Sequence, residues 1–202
     1  MAETQAGAER RRVLIAEDEA LIRLDLAEML VEEGYDVVGE MDADGSHQPE
    51  QLPAMLEALE DADLVLGSRW VPGGAVVNWP WTRKALSRGG NLYTRLLLGI
   101  PVHDATGGFR LFRRTTLEKI DLPSVRSVGY CFQADLAWRT VEAGLRVREV
   151  PIDFIERIRG ESKMSPDVAV ESLRRITAWG LRERRRQAGD VLSKVKSRRN
   201  RR

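Results

Sequence analysis

Asp42 and Asp44 stand two positions apart in the run Met41-Asp42-Ala43-Asp44-Gly45-Ser46-His47-Gln48-Pro49-Glu50. The apolar stretch before them, Tyr35 to Met41, reads as a strand. Alternate side chains of an extended chain share a face, so the two carboxylates are expected to point the same way. At the C-terminal end of a strand, such a pair offers hard oxygen ligands to a divalent cation. Gly45 lets the chain turn and Pro49 closes the loop. A solvated acidic turn is the other reading of the same residues.

The elements that would hold this pair follow from periodicity. Val13-Leu14-Ile15-Ala16 is a buried-strand run, and Ala20 to Glu33 has helical spacing, with Gly34 as its C-cap. Strand, helix and strand in that order predict a βαβ unit and a parallel sheet. Glu50 to Glu60 reads as a helix with Pro53 in its first turn, and Asp63 to Arg69 as a third strand. Gly73-Gly74 and Trp79-Pro80-Trp81 mark a long irregular stretch before a helix over Lys84 to Gly99. Asp104 to Gly108 is a turn and Phe109 to Phe112 a short strand. Tyr130 to Ala143 is an amphipathic helix closed by Gly144, and Arg146 to Phe154 is one more strand. Ser165-Pro166-Asp167 has the composition of a helix start.

Composition sets the class. With 43% apolar and 31% charged residues in 202, the chain has the balance of a soluble globular protein. One cysteine, Cys131, excludes an internal disulfide and fits a reducing compartment. The N-terminus has no apolar signal core and no stretch is apolar enough to span a bilayer. Charge is uneven: residues 1–40 carry 11 acids against 4 bases, and residues 181–202 carry 10 bases against 2 acids. The basic tail suits anionic lipid headgroups or solvent. Nucleic acid is not expected, because no recognised motif or interleaved aromatic accompanies the charge. Trp70, Trp79 and Trp81 lie beside arginines, a combination that fits a membrane interface or a core.

Six motifs in order make residues 41–180 resemble the family-two glycosyltransferases, and within them the polyprenol-phosphate mannose synthases. The run from Met41 to Glu50 is followed by Gly67-Ser68-Arg69-Trp70 and by Trp81-Thr82-Arg83-Lys84-Ala85-Leu86-Ser87-Arg88-Gly89. Asp104-Ala105-Thr106-Gly107-Gly108-Phe109-Arg110, Gly129-Tyr130-Cys131-Phe132-Gln133-Ala134-Asp135 and Arg157-Ile158-Arg159-Gly160-Glu161-Ser162-Lys163 complete the set. The resemblance implies an α/β fold of GT-A (Rossmann-like) type, a mostly parallel sheet flanked by helices. It implies transfer of mannose from GDP-mannose to a polyprenyl phosphate with inversion, and peripheral association with the cytoplasmic membrane face or a membrane-anchored partner protein. Asp42, Asp44 and Ser46 would hold Mg²⁺ or Mn²⁺. Arg69, Arg83 and Ser87 match positions that contact acceptor phosphate; Arg83 and Ser87, four apart, share a helical face. Gln133, Asp135, Arg157 and Lys163 match donor-binding positions. The acceptor is itself an anion, so no general base is assigned.

Residues 11–40 resemble the opening of a response-regulator receiver domain, through Arg12-Val13-Leu14-Ile15-Ala16-Glu17-Asp18-Glu19 and Gly34-Tyr35-Asp36-Val37-Val38-Gly39. The expected organisation is a disordered leader (1–10), a receiver-like strand-helix-strand forming the first βαβ (11–40), a truncated transferase domain (41–180) and the basic tail (181–202). The transferase family's own opening loops, which hold the donor nucleoside, have no match before residue 41, so weak or absent transfer is expected. A phosphorelay signalling protein and a non-catalytic membrane-surface module are the alternatives.

Overall fold

The computed structural model describes residues 12–16, 29–30, 34–122, 125, 130–156, 170–182 and 184. Strand β1 (Arg12–Ala16) lies parallel to β2 (Val37–Met41). Helix α1 (Leu52–Ala58) leads to β3 (Leu64–Ser68), β4 (Ala75–Val77) and the long α2 (Trp81–Leu98). Then come β5 (Arg110–Arg113), α3 (Arg114–Lys119), α4 (Tyr130–Glu142), β6 (Val147–Pro151) and β7 (Asp153–Ile155). Residues 170–182 form a further helix, α5.

The main sheet has the order β1-β2-β5-β3-β6, and only β5 runs against its neighbours. The expected mostly parallel sheet flanked by helices is what the chain builds. β2 and β3 are buried along their whole length, as continuous apolar runs require when both sheet faces are covered. Alternation sorts β3 between the two faces: Leu64 and Leu66 join Phe112, Ile100, Phe132 and Ile176 on one side. Val65 joins Leu111, Met55, Phe109 and Ile152 on the other.

Three local readings change. The single strand expected over Arg146 to Phe154 breaks at Ile152, whose backbone N–H bonds the Ser68 carbonyl at 3.0 Å. Its second half, β7, leaves the main sheet and pairs with β4, a strand inside the stretch expected to be irregular. A three-residue strand in a tryptophan- and glycine-rich run has too little alternation to be visible alone. The long helix also starts three residues earlier than expected, on Trp81 after Pro80, and ends where Gly99 takes φ +68°. The helix expected over Ala20 to Glu33 and the helix start at Ser165 lie largely outside the described residues.

Arg110 holds the loop that precedes β5. Its side chain is fully buried, and its guanidinium donates to the carbonyls of Gly107 (2.7 Å), Ala105 (2.6 Å) and Gln133 (2.6 Å). Glu40 on β2 lies 3.7 Å away. One side chain thereby joins the 104–108 turn to α4. Replacing Arg110 with alanine strands three carbonyls and a buried carboxylate, and the expected loss is about 3 kcal/mol or more of unfolding free energy, read by urea denaturation.

Candidate active site

The carboxyl ends of β2 and β3 and the turn before β5 meet at one edge of the sheet. Asp42 follows β2 directly, and its side chain is about a quarter exposed (26%). A Cβ added at Gly108 would sit 3.0 Å from Asp42 Oδ1, and one at Gly107 would sit 3.0 Å from the Gly67 carbonyl. The two glycines therefore let the turn lie against β3 while leaving the Asp42 carboxylate uncrowded.

The strand ends before the acidic pair, so the extended alternation expected for Asp42 and Asp44 does not apply. Residues 43–45 bend, with Gly45 at φ +80°. Asp44 Oδ1 turns back to accept the backbone N–H of Ser46 (3.0 Å) and its hydroxyl (2.5 Å). Ser46 is fully buried, and this bond makes it a support for Asp44. His47 carries the other side of the loop. It is buried between Phe109 (5.4 Å) and Phe154 (5.1 Å), and its Nδ1 accepts the Asp42 backbone N–H at 3.0 Å. That acceptance places the proton of the neutral ring on Nε2. Nothing in the sequence beyond its place in the 41–50 run singles out His47; its placement between two aromatics is a long-range fact.

The basic residues are reached through the same aromatic row. Phe154 packs on Trp79 (5.4 Å), and Trp79 meets Trp70 edge-on (6.4 Å). Arg69 lies within 5.4–5.9 Å of all three rings and is buried. Its Nε and Nη2 each donate to Asp104 at 2.7 Å, and its backbone N–H adds a third bond at 3.0 Å. Its planar fork is thus engaged by a carboxylate, where sequence reading had assigned it to phosphate. Arg83 sits 3.9 Å above the Trp79 ring and donates to Glu156 at 2.9 Å. Ser87 follows one turn along α2, and its carbonyl accepts the side-chain amide of Asn91. Asn91 donates also to Asp104 (3.2 Å) and Thr106 (3.1 Å), tying α2 to the turn.

Burial alone would push the Asp104 carboxyl up, but the Arg69 guanidinium and its hydrogen bonds, with Arg110 behind them, hold it below its ordinary value of 3.8. Glu149 supports the turn from β6 by accepting the N–H of His103 and of Asp104, each at 2.8 Å.

The donor-side residues are less open. Gln133 and Asp135 are buried in α4 at 4% and 3% exposure. Asp135 accepts from Arg139 at 2.8 Å, and both polar atoms of the Gln133 side chain lack a partner among the described residues. Arg157 and Lys163 lie outside the described residues. Cys131 is buried with its Sγ 3.6 Å from the Ser172 carbonyl, and burial pushes its thiol up, which suits packing over reactivity.

The donor set fits a magnesium-like ion. Such ions take one or two carboxylates, several waters and substrate phosphates, and Asp42 and Asp44 are the carboxylates that would serve. Among the described residues no group of three or more His, Cys, Asp or Glu side chains gathers to form a closed protein cage.

Comparison with known proteins agrees with this architecture. Residues 34–121 match the family model described as Glycosyl transferase family 2. An undecaprenyl-phosphate mannosyltransferase of Micrococcus luteus is 55% identical over 154 residues, covering 76% of this chain and 63% of that protein. A polyprenol monophosphomannose synthase of Mycolicibacterium smegmatis is 53% identical over 160 residues, covering 79% of this chain and 60% of that protein. The chain thus spans under two thirds of the length of either relative. A crystal structure of glucosyl-3-phosphoglycerate synthase from Mycobacterium tuberculosis, with Mn²⁺, uridine diphosphate and glucosyl-3-phosphoglycerate, superposes with a TM-score of 0.51 at 19% identity. It covers 76% of this chain and 51% of that one. That likeness identifies the fold as GT-A-like.

The Asp104 carboxylate generates a pH prediction. A folded-state value below the ordinary one stabilises at neutral pH, and the contribution is lost as pH falls through the ordinary range and below it. Asp104→Asn should lower stability at pH 7 by about 3–5 kcal/mol, because it leaves Arg69 buried without its anion. It should also flatten the decline of wild-type stability below about pH 4, read by urea denaturation at pH 7 and pH 3.

Proposed function

We propose, from the match of residues 34–121 to the model of glycosyl transferase family 2, that the chain is the metal- and acceptor-binding part of a polyprenyl-phosphate mannosyltransferase. The reaction is transfer of mannose from GDP-mannose to a polyprenyl phosphate with inversion. An acceptor phosphate oxygen bonds to the anomeric carbon as the bond from that carbon to the donor diphosphate breaks, and GDP leaves. The names of both relatives support the lipid phosphate and the mannosyl group.

One observation carries the reading. A partly exposed carboxylate at the sheet edge is joined, through a row of aromatic rings, to arginines on a helix whose outer face is apolar. A reaction between a water-soluble sugar nucleotide and a membrane lipid needs those two chemistries side by side.

Asp42 and Asp44 would hold Mg²⁺ or Mn²⁺, with Ser46 and His47 keeping the loop in shape. The cation would offset the charge of the departing diphosphate. Arg69, Arg83 and Ser87 are assigned to the acceptor's phosphate, which would compete with Asp104 and Glu156 for the two guanidinium groups. Because that acceptor is already anionic, positioning does the work of a base. Gln133, Asp135, Arg157 and Lys163 are assigned to the donor. Residues 11–40 resemble a receiver opening in sequence and carry no match to the nucleoside-gripping loops of such a transferase, which supports weak or absent transfer by this chain.

The membrane end of the reading rests on α2. Trp81, Ala85, Leu92 and Leu96 recur at spacings of four and seven along one face of the helix, and Trp81 and Leu96 are 77% and 64% exposed. Lys84, Arg88 and Arg95 repeat the same spacing on the adjoining stripe. An apolar stripe bordered by cations is complementary to an anionic lipid surface. No helix among the described residues is long and apolar enough to cross a membrane. The apolar stripe and its bordering cations support the reading that the protein associates peripherally with the cytoplasmic membrane face.

Calorimetric titration with Mn²⁺ in the presence of GDP tests the sheet-edge site. Asp42→Ala combined with Asp44→Ala should weaken uptake by about tenfold or more, and unchanged binding would remove the metal assignment. Flotation with phosphatidylglycerol liposomes tests the helix. Leu92→Glu with Leu96→Glu should leave the protein at the bottom of the gradient while wild type rises, and equal flotation of the two would refute the docking face.

A further inference from the structure

Three guanidinium groups gather on one pair of indoles. Arg83 rests on Trp79, Arg88 lies 4.8 Å above the centre of Trp70, and Arg69 lies within 5.9 Å of both rings. Two of the three charges are already answered, Arg69 by Asp104 and Arg83 by Glu156. Arg88 has no carboxylate and no hydrogen-bond partner among the described residues; its contact is the Trp70 ring. A guanidinium resting on an aromatic face is oriented by it and still has its N–H groups to donate.

The indole N–H groups of Trp70 and Trp79 are buried with no partner among the described residues, and Trp79 is only 8% exposed. Arg88 also stands on the border of two surfaces. Ser87 precedes it on the inner side of α2, and Trp81 and Leu92, seven and four residues away, lie on the apolar outer side. A lipid whose chain lies along that apolar stripe brings its charged head to this border.

We infer that Arg88 makes the direct ionic contact to the phosphate monoester head of the lipid acceptor, with Trp70 as its seat. This rests on the lipid-phosphate reading given above. Arg69 and Arg83 share the same pair of rings, each restrained by its own carboxylate. Arg88 is thus a binding residue for the acceptor, in addition to the positions matched by motif.

The test is calorimetric titration of the full chain with a short-chain polyprenyl phosphate in neutral detergent micelles, with the matching polyprenol as control. Wild type should bind the phosphate more tightly than the alcohol. Arg88→Ala should weaken the phosphate by about tenfold or more, erase the preference over the alcohol and keep the melting temperature. Arg88→Lys should retain part of the preference, and Lys119→Ala, on the remote α3, all of it. If wild type discriminates and Arg88→Ala does so equally, the acceptor reading stands and the role of Arg88 falls. If wild type itself does not distinguish phosphate from alcohol, both fall. Two further arms separate the sources of the phosphate group. Displacement of the lipid by equimolar inorganic phosphate would give the site to a free anion and overturn the proposal. A loss of binding to phosphatidylglycerol vesicles, with micellar polyprenyl phosphate unaffected, would reduce Arg88 to a general membrane contact and overturn it as well.

Discussion

The buried ion pair between Arg69 and Asp104 is the constraint around which this protein is arranged. Neither group tolerates burial alone, because desolvating a charge costs several kcal/mol before any partner is found. Three hydrogen bonds and a ring of aromatic faces compensate here. The consequences spread outward. Asp104 fixes the turn that brings Gly107 and Gly108 against β3 and Asp42, and Asn91 ties α2 to the same carboxylate. Arg110 locks the turn from behind through three carbonyls. The sheet edge and the long helix are therefore coupled through one set of polar contacts in an otherwise apolar interior.

That coupling explains the unusual character of α2. A surface helix ordinarily turns its apolar stripe inward. Here much of the inward face is polar, with Asn91 and Thr94 buried and Arg83 and Ser87 half-buried, while Trp81, Leu92 and Leu96 look outward. The inversion follows from what the helix must meet on each side: a charged network within and, in the proposed function, lipid without. Helix α5 packs across it through Tyr93 and Thr177, and Gly180 sits where a larger residue would strike Leu97.

The aromatic row does two jobs at once. At one end His47, Phe109 and Phe154 seat the loop carrying Asp42. At the other, Trp79 and Trp70 seat Arg83 and Arg88. The tryptophans that sequence alone grouped together divide by role: Trp81 is exposed on α2, while Trp70 and Trp79 serve as platforms for cations.

Much of this protein was legible from its residues in order. Continuous apolar runs at β2 and β3, the glycine that ends α2 and the ordered motifs from Met41 onward are local patterns, and periodicity reports them because burial repeats with the backbone geometry. Tertiary structure decided what local pattern does not encode: the antiparallel insertion of β5, the departure of β7 to pair with β4, and the partner of each charge. Arg69, Arg83 and Arg88 look alike in sequence, since each is a guanidinium near a tryptophan. Which of them a carboxylate holds in addition to a ring depends on residues as distant as Asp104 and Glu156. Electrostatics acts over a few ångströms of space, and only folding brings those groups that close.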